Sequence, residues 1–346
     1  MAPPSPQQTS AGPDSDAIQG DGDYWFDDGN LVLIAKNHDA AARCKAFRIH
    51  IGVLARHSQA FKDLFSGKLP QPAAADEVDT TLDAGCPGVR MSDSYHDIKA
   101  LLRALYDTLI YRRTSRSSPE EPLPFSEAAA LVRLGHKYDI GPLLDLGLKS
   151  LSATFSTKAV WGWHAAAQKS LATPVRSLSK ECVEAANLFR ITGHRRLLVT
   201  ALYACSAIDK KSLTSGVLRA DGTLEVLSPD DLERCWELRA CMDARLTDYI
   251  MDTLTLPSRQ DCQQAKVCNK CVRQARPLRV CHRTPVQHKA LHGGFGPVFP
   301  DWTKNLSLCS LCRAFYAKRE LSFRRELWHT LPTMLGLPIS DWHDNP

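Results

Sequence analysis

The sequence has no long apolar run, and this absence sets the first limit on what the protein can be. No segment approaches the roughly 18 apolar residues that a membrane-spanning helix needs. The first 22 residues have neither the basic start nor the apolar core of a signal peptide, so we expect a cytoplasmic or nuclear protein. Residues 1–22 are rich in Pro, Ser, Gly and Asp and are predicted to be a disordered tail, because they can bury little apolar surface.

Sequence motifs of the common catalytic sites are also missing. The chain contains no G-x-S-x-G nucleophile motif, no G-x-x-x-x-G-K-[ST] phosphate loop and no H-E-x-x-H metal motif. No repeat with a fixed period occurs either, which argues against solenoid and propeller architectures. We therefore expect a protein that acts by binding and not by catalysis, with no catalytic or cofactor-binding residues.

The first ordered part of the chain, from about Asp23, alternates between strand and helix patterns. A helical stripe follows the second strand pattern and is interrupted near Ser58, whose hydroxyl can cap the helix that comes next. Another helix is predicted to start at Ser92 or Asp93. Short apolar or alternating runs predict three strands, at Leu31–Ala35, Lys45–His50 and Gly88–Met91. The first two of these are expected to form an antiparallel pair. Together these patterns predict an α+β fold in which a small sheet is surrounded by helices.

The rest of the chain has mainly helical patterns. Residues 157–255 are predicted to be helical throughout, with a strong start where Ser228 precedes a proline and two acidic residues. Near Pro257 the composition shifts towards Cys, Arg and Gly. We therefore predict four parts: a tail, an α+β domain, a helical extension and a basic cysteine-containing module, at 1–22, 23–155, 156–256 and 257–346.

Three segments of the α+β region resemble the BTB (POZ) family. His50, Leu54, Ser58 and Phe61 match the H-x-x-x-L-x-x-x-S-x-x-F part of its signature. Downstream, Leu101–Tyr106 is similar to the family's LLxxLY helix, and Leu131–Tyr138 to its LxxLAxKY helix. The stretches Ala84–Ser94, Leu327–Pro332 and Gly336–Pro338 resemble BTB proteins of mushroom-forming fungi.

The resemblance implies a BTB/POZ fold for residues 23–155 and a function in protein–protein interaction. BTB proteins are known for self-association and for recruiting partners, so we expect a homodimer that serves as a scaffold or adaptor. Some members bind a cullin ubiquitin-ligase scaffold, which makes that partner a further hypothesis. The signature residues are expected to be structural: Leu54 and Phe61 fill the core, while His50 and Ser58 satisfy backbone groups or cap a helix.

Twelve cysteines are many for 346 residues, and two C-x2-C pairs stand out among them. Two such pairs can supply four thiolates to one structural zinc ion, which predicts Cys268, Cys271, Cys309 and Cys312 as ligands. The 37 residues between the pairs exceed the usual 15–20. Ligand identity therefore stays open, and so does the alternative that reduced cysteines pack in a helical tail. Other candidates nearby are Cys262, Cys281, His282, His288 and His292.

The positive charge of the protein lies in its last quarter. Residues 258–346 carry 14 Lys and Arg against 6 Asp and Glu, a net charge of +8, whereas the whole chain has a net charge of +5. Basic charge beside a zinc site also suits a transcription regulator that contacts nucleic acid, which is the alternative function. Against it, no C2H2 finger spacing occurs, and the last helix has an apolar packing face formed by Phe323, Leu327, Trp328 and Leu331.

Overall fold

The computed structural model shows a mixed α+β protein with a small sheet and a mostly helical remainder. It describes residues 18–37, 44–66, 86–107, 123–155, 178–255, 261–280 and 307–342. Within these ranges no helix has both the length and the apolar character that crossing a membrane requires. The chain divides into two compact units, one of Met1–Arg112 with Lys137–Ile140 and the other of Arg113–His136 with Gly141–Pro346.

The first unit contains a four-stranded mixed sheet with the strand order β1-β3-β2-β4. The predicted antiparallel pairing of the second and third strands is confirmed, with Leu31 opposite Ile49 and Lys36 opposite Cys44. β2 is buried along five of its six residues, as its continuous apolar run indicates. The strands are β1 (Ile18–Trp25), β2 (Leu31–Lys36), β3 (Cys44–Ile49) and β4 (Gly88–Ser94).

Strand β1 corrects the expected start of order at Asp23, because it begins at Ile18 and so takes up the end of the predicted 1–22 tail. Its sequence, IQGDGDYW, has no clean alternation of polar and apolar residues. Asp21 is nevertheless buried, since Tyr95 donates to its Oδ2 over 2.5 Å and Lys99 over 3.1 Å. Burial raises the pKa of Asp21, but the hydrogen bonds, led by that of Tyr95, outweigh it and lower the pKa overall.

Ser58 joins the two short helices α1 (Ile51–His57) and α2 (Gln59–Phe65). Its Oγ accepts from the Phe61 N–H over 3.1 Å, which confirms the predicted cap. Leu54 and Phe61 are fully buried, also as expected. The next helix, α3 (Tyr95–Tyr106), begins later than Ser92 or Asp93 because β4 continues to Ser94, which caps α3 instead.

The second unit contains most of α4 and all the elements that follow it. Residues 156–177, which belong to the region predicted as helical, lie outside the described residues. The all-helical prediction for residues 157–255 misses a two-stranded hairpin, whose sharp turn includes Gly222 with a φ of +80°. The helices are α4 (Phe125–Lys137), α5 (Gly141–Thr154), α6 (Leu178–Ile191), α7 (Arg195–Ser206), α8 (Lys210–Ser215), α9 (Pro229–Thr255), α10 (Ala265–Val280) and α11 (Ser310–Met334), and the strands are β5 (Val217–Leu218) and β6 (Leu224–Glu225).

The boundaries predicted at residues 155 and 256 do not separate compact parts of the structure. Buried side chains of α4 and α5, such as Val132 and Leu151, belong to the same apolar core as those of α6 to α9. Cys268 of α10 and Trp328 of α11 belong to this core too. The predicted helical extension and C-terminal module therefore share one core with the end of the predicted α+β domain.

Candidate metal centre

Four cysteine side chains meet in the core of the second unit. The Sγ atoms of Cys262, Cys268, Cys309 and Cys312 all lie within 4.8 Å of one another. The Cys262 sulfur is 3.4 Å from that of Cys312 and 3.7 Å from that of Cys309. Three of the four predicted ligands are thus brought together, while Cys271 lies outside the group and Cys262 completes it.

The helices explain why one C-x2-C pair contributes both sulfurs and the other only one. Cys309 is the extended residue before α11 and Cys312 lies in its first turn, so the chain bends between them. Cys268 and Cys271 both lie within α10, and only the sulfur of Cys268 belongs to the group. The prediction of Cys271 as a ligand is therefore wrong for this group, which contains Cys262 instead.

Cys262, in the turn that precedes α10, supplies the fourth sulfur of the group in place of Cys271. Its spacing from Cys268 is C-x5-C, which is not a common zinc pattern and gave no reason to prefer it over the other nearby candidates. Four of those candidates lie outside the described residues: Cys281, His282, His288 and His292.

The sulfur positions suit a tetrahedral ion better than a disulfide. With zinc–sulfur bonds of about 2.3 Å, a regular tetrahedron places its sulfurs about 3.8 Å apart. The separations of 3.4 and 3.7 Å are close to this value. A disulfide would need a sulfur–sulfur distance of about 2.05 Å, and all four cysteines are free thiols.

The group is almost closed to solvent. Cys268, Cys309 and Cys312 are buried, and only Cys262 is partly exposed. The three buried cysteines belong to the apolar core that also contains Val272 and Leu308. Four ligands from protein leave no open position on a tetrahedral ion, which is typical of structural sites and not of catalytic ones.

Electrostatics favour a thiolate at one corner of the group. The backbone N–H of Cys312 stabilises the Cys309 thiolate and lowers the pKa of Cys309 to about 6. This position at the start of α11 also benefits from the positive end of the helix dipole. Burial raises the pKa of Cys268 and of Cys312. Four thiolates this close would repel one another, so a bound divalent cation is what allows all of them to ionise.

The predicted packing face of the last helix is confirmed, because Phe323, Leu327, Trp328 and Leu331 are all buried. Basic side chains of α10 and α11, including Arg273 and Arg313, are exposed. The four thiols can therefore hold a metal ion that links α10 and α11 from inside the core. Comparisons of the chain with protein-family models, with curated proteins and with solved structures found no match.

Proposed function

We propose that this chain is a protein-interaction protein, a scaffold or adaptor whose N-terminal unit is of the BTB type and self-associates. The observation that carries the proposal is that the three BTB-like segments contact one another. The His50 N–H donates to Tyr106 Oη over 3.0 Å, which joins the first segment to the second. Ser58 Oγ donates to the Tyr138 carbonyl oxygen over 2.6 Å, which joins the first to the third.

Ring packing supports the same arrangement. Phe61 stacks on Tyr138 with ring centroids 4.2 Å apart, and the His50 ring lies 6.1 Å from that of Tyr106. Segments that lie about 50 to 80 residues apart thus use their signature side chains for packing and backbone hydrogen bonds. Signature residues with this role maintain a fold, and the fold implied by the resemblance is one that acts through contact with other proteins.

The mass of the full chain in solution tests self-association. Light scattering at rising protein concentration is expected to give the mass of a dimer, twice the 38.4 kDa of the chain. A strict monomer up to the solubility limit would contradict the proposal. A pull-down with a purified cullin tests the narrower adaptor hypothesis. Salt-dependent DNA binding by the full chain would favour the alternative of a transcription regulator.

We propose further that Cys262, Cys268, Cys309 and Cys312 hold one structural zinc ion. A set of four thiolates selects a soft or borderline ion, and zinc is the common ion that accepts four sulfurs in a tetrahedron. The ion would fasten the turn before α10 to the start of α11 and so stabilise the end of the helical core.

Metal analysis combined with serine variants tests this ligand set. The purified chain is expected to hold one zinc ion, and Cys262→Ser or Cys268→Ser should abolish tight binding. Cys271→Ser is the matched control, because it removes the other thiol of the same C-x2-C pair and should retain the ion. With cobalt(II) in place of zinc, the sulfur-to-metal absorption should be lost in the first two variants and kept in the third.

Two outcomes would overturn the zinc proposal or its ligands. Loss of zinc in Cys271→Ser with retention in Cys262→Ser would restore the ligand set predicted from the two C-x2-C pairs. A native protein without bound metal that also fails to take up zinc or cobalt would show that the cysteines pack as reduced thiols.

A further inference from the structure

The hairpin formed by β5 and β6 exposes an apolar surface on the second unit. Leu218 and Leu224 face each other across the two strands and are 64% and 56% exposed, and Val226 beside them is 50% exposed. The side chains of Leu224 and Val226 approach each other over Gly216, so the three residues form one patch. Such apolar side chains in a small protruding element lose water contacts favourably when another polypeptide covers them.

Hydrogen bonds from α6 hold the strand that carries the patch. Asn187 of α6 donates to Glu225 Oε2 over 2.6 Å and to the Val226 carbonyl oxygen over 2.9 Å. Gly216, with a φ of +85°, lets the strands approach so closely that a Cβ there would lie 2.6 Å from the Glu225 carbonyl oxygen. A rigid platform loses little conformational entropy when a partner binds, which favours recognition.

A small pocket of about 50 Å³ adjoins the patch, between the hairpin and the helices α4 and α6. Phe125 and Leu218 supply apolar walls, and Glu181 and Glu184 supply two carboxylates. Arg219 also lines the pocket, and it pairs with Glu225 over 3.1 Å. Buried Glu184 already forms an ion pair with Arg133. Among the described residues, Glu181 forms no hydrogen bond or ion pair.

Glu181 is therefore a carboxylate that lacks compensation. Burial, and then the charge of Glu184, raise the pKa of Glu181 to about 7. A half-buried carboxylate that loses hydration without gaining a partner destabilises its surroundings when ionised. A cation brought into the pocket would supply the missing interaction.

We propose that this pocket receives a lysine or arginine side chain of another protein, while aliphatic residues next to that side chain cover Leu218, Leu224 and Val226. Charge complementarity identifies the basic residue, because Glu181 is unpaired whereas Glu184 is satisfied. The exposed aliphatic side chains identify its neighbours. The partner is thus an exposed basic and aliphatic segment, and its recognition does not depend on the N-terminal unit or on the zinc site.

Fluorescence anisotropy with the full chain tests the proposal. The probe is a labelled, end-blocked hexapeptide with one central lysine between leucine and valine residues, and the reference peptide has glutamine in place of that lysine. The lysine peptide is expected to bind about tenfold more tightly, because only it supplies a charged donor. Glu181→Gln should remove this difference, and Leu224→Ser should weaken both peptides.

Control variants make the same chemical changes elsewhere in the second unit. Glu233→Gln alters an exposed carboxylate of α9, and Val267→Ser an exposed aliphatic side chain of α10; both should leave binding unchanged. Equal binding of the two peptides, or full binding by Glu181→Gln, would overturn the proposal. Loss of self-association in Glu181→Gln or Leu224→Ser would also overturn it, since the occupant would then be a second copy of the chain.

Discussion

Both units pair buried carboxylates with donors of the chain, but the second also brings four thiols together among its described residues. In the first unit the buried carboxylates find partners within the chain: Asp21 accepts from Tyr95 and Lys99, and Asp93 from Lys137 and Tyr138. In the second unit four thiols lie together, three of them buried, and the pKa of Cys309 is lowered to about 6. In the described part of the first unit, side chains alone compensate Asp21 and Asp93, whereas the thiol group of the second unit could also hold a metal ion.

The largest expected effect is the loss of stability when the proposed zinc ion is removed. Chelation of zinc, or Cys268→Ser, is expected to cost the α10–α11 region about 4 kcal/mol or more, because structural zinc contributes its binding free energy to folding. Hydrogen exchange should then speed up in α10 and α11 and stay slow in β2 and β3. Faster exchange in the sheet as well would contradict the contrast, and Cys271→Ser should behave like the unchanged chain.

Loss of a buried carboxylate should weaken the first unit by less. Asp93 is 8% exposed and accepts from Lys137 Nζ over 2.7 Å and from Tyr138 Oη over 2.5 Å. Burial and the Asp93 charge raise the pKa of Tyr138, so its phenol stays a donor at neutral pH. Asp93→Ala should lower the free energy of unfolding by about 3 kcal/mol in urea titrations, since both donors lose their acceptor. The exposed-site control Arg56→Ala should change it by less than about 0.5 kcal/mol.

Removal of the Ser58 hydroxyl measures what one helix cap contributes to the stability of the first unit. Ser58→Ala loses the hydrogen bond from the Phe61 N–H and the one to the Tyr138 carbonyl oxygen, so the expected cost is about 2 kcal/mol. Ser66, an exposed serine at the end of α2, is the matched control and should tolerate alanine. Equal, small effects in urea titrations of the two variants would show that Ser58 does not secure the contact between the BTB-like segments.

The smallest expected effect is a gain in stability that depends on pH. Because the pKa of Glu181 is about 7 in the folded protein and its ordinary value is 4.5, stability falls as pH rises from about 4.5 to 7. Glu181→Gln should therefore stabilise the second unit by about 1 kcal/mol at pH 8, a figure reduced for partial exposure, and by nothing near pH 4. Thermal unfolding at both pH values checks this. Glu184, which pairs with Arg133, and Arg219, which pairs with Glu225, are the other charged residues of the pocket. A constant effect at both pH values would contradict the assignment of the effect to Glu181.

Local patterns predicted those parts of the fold that depend on neighbouring residues. The pairing of β2 with β3 and the cap at Ser58 follow from alternation, apolar runs and the hydroxyl before a helix. β1 did not follow, because the burial of Asp21 depends on Tyr95 and Lys99, which are more than 70 residues away. Distant contacts of this kind leave no periodic signal in the sequence.

The metal centre shows the same limit within one motif. The spacing of Cys309 and Cys312 predicted two sulfurs that face one point, which they do because α11 starts between them. The equal spacing of Cys268 and Cys271 predicted that both would be ligands, but both lie inside α10 and only Cys268 joins the group. Whether two cysteines three apart converge is decided by where a helix starts, and that boundary is the least certain part of a sequence-based prediction.

The long separation between the two halves of the metal centre has a consequence for the unfolded chain. Forty residues lie between Cys268 and Cys309, roughly twice the usual interval in four-cysteine zinc sites. The entropy lost on closing a loop grows with the logarithm of its length, so a bridge over 40 residues restricts the unfolded chain by roughly 0.8 kcal/mol more than one over 17. An ion that stayed bound to these cysteines after unfolding would therefore oppose unfolding partly by reducing the number of conformations open to the unfolded chain.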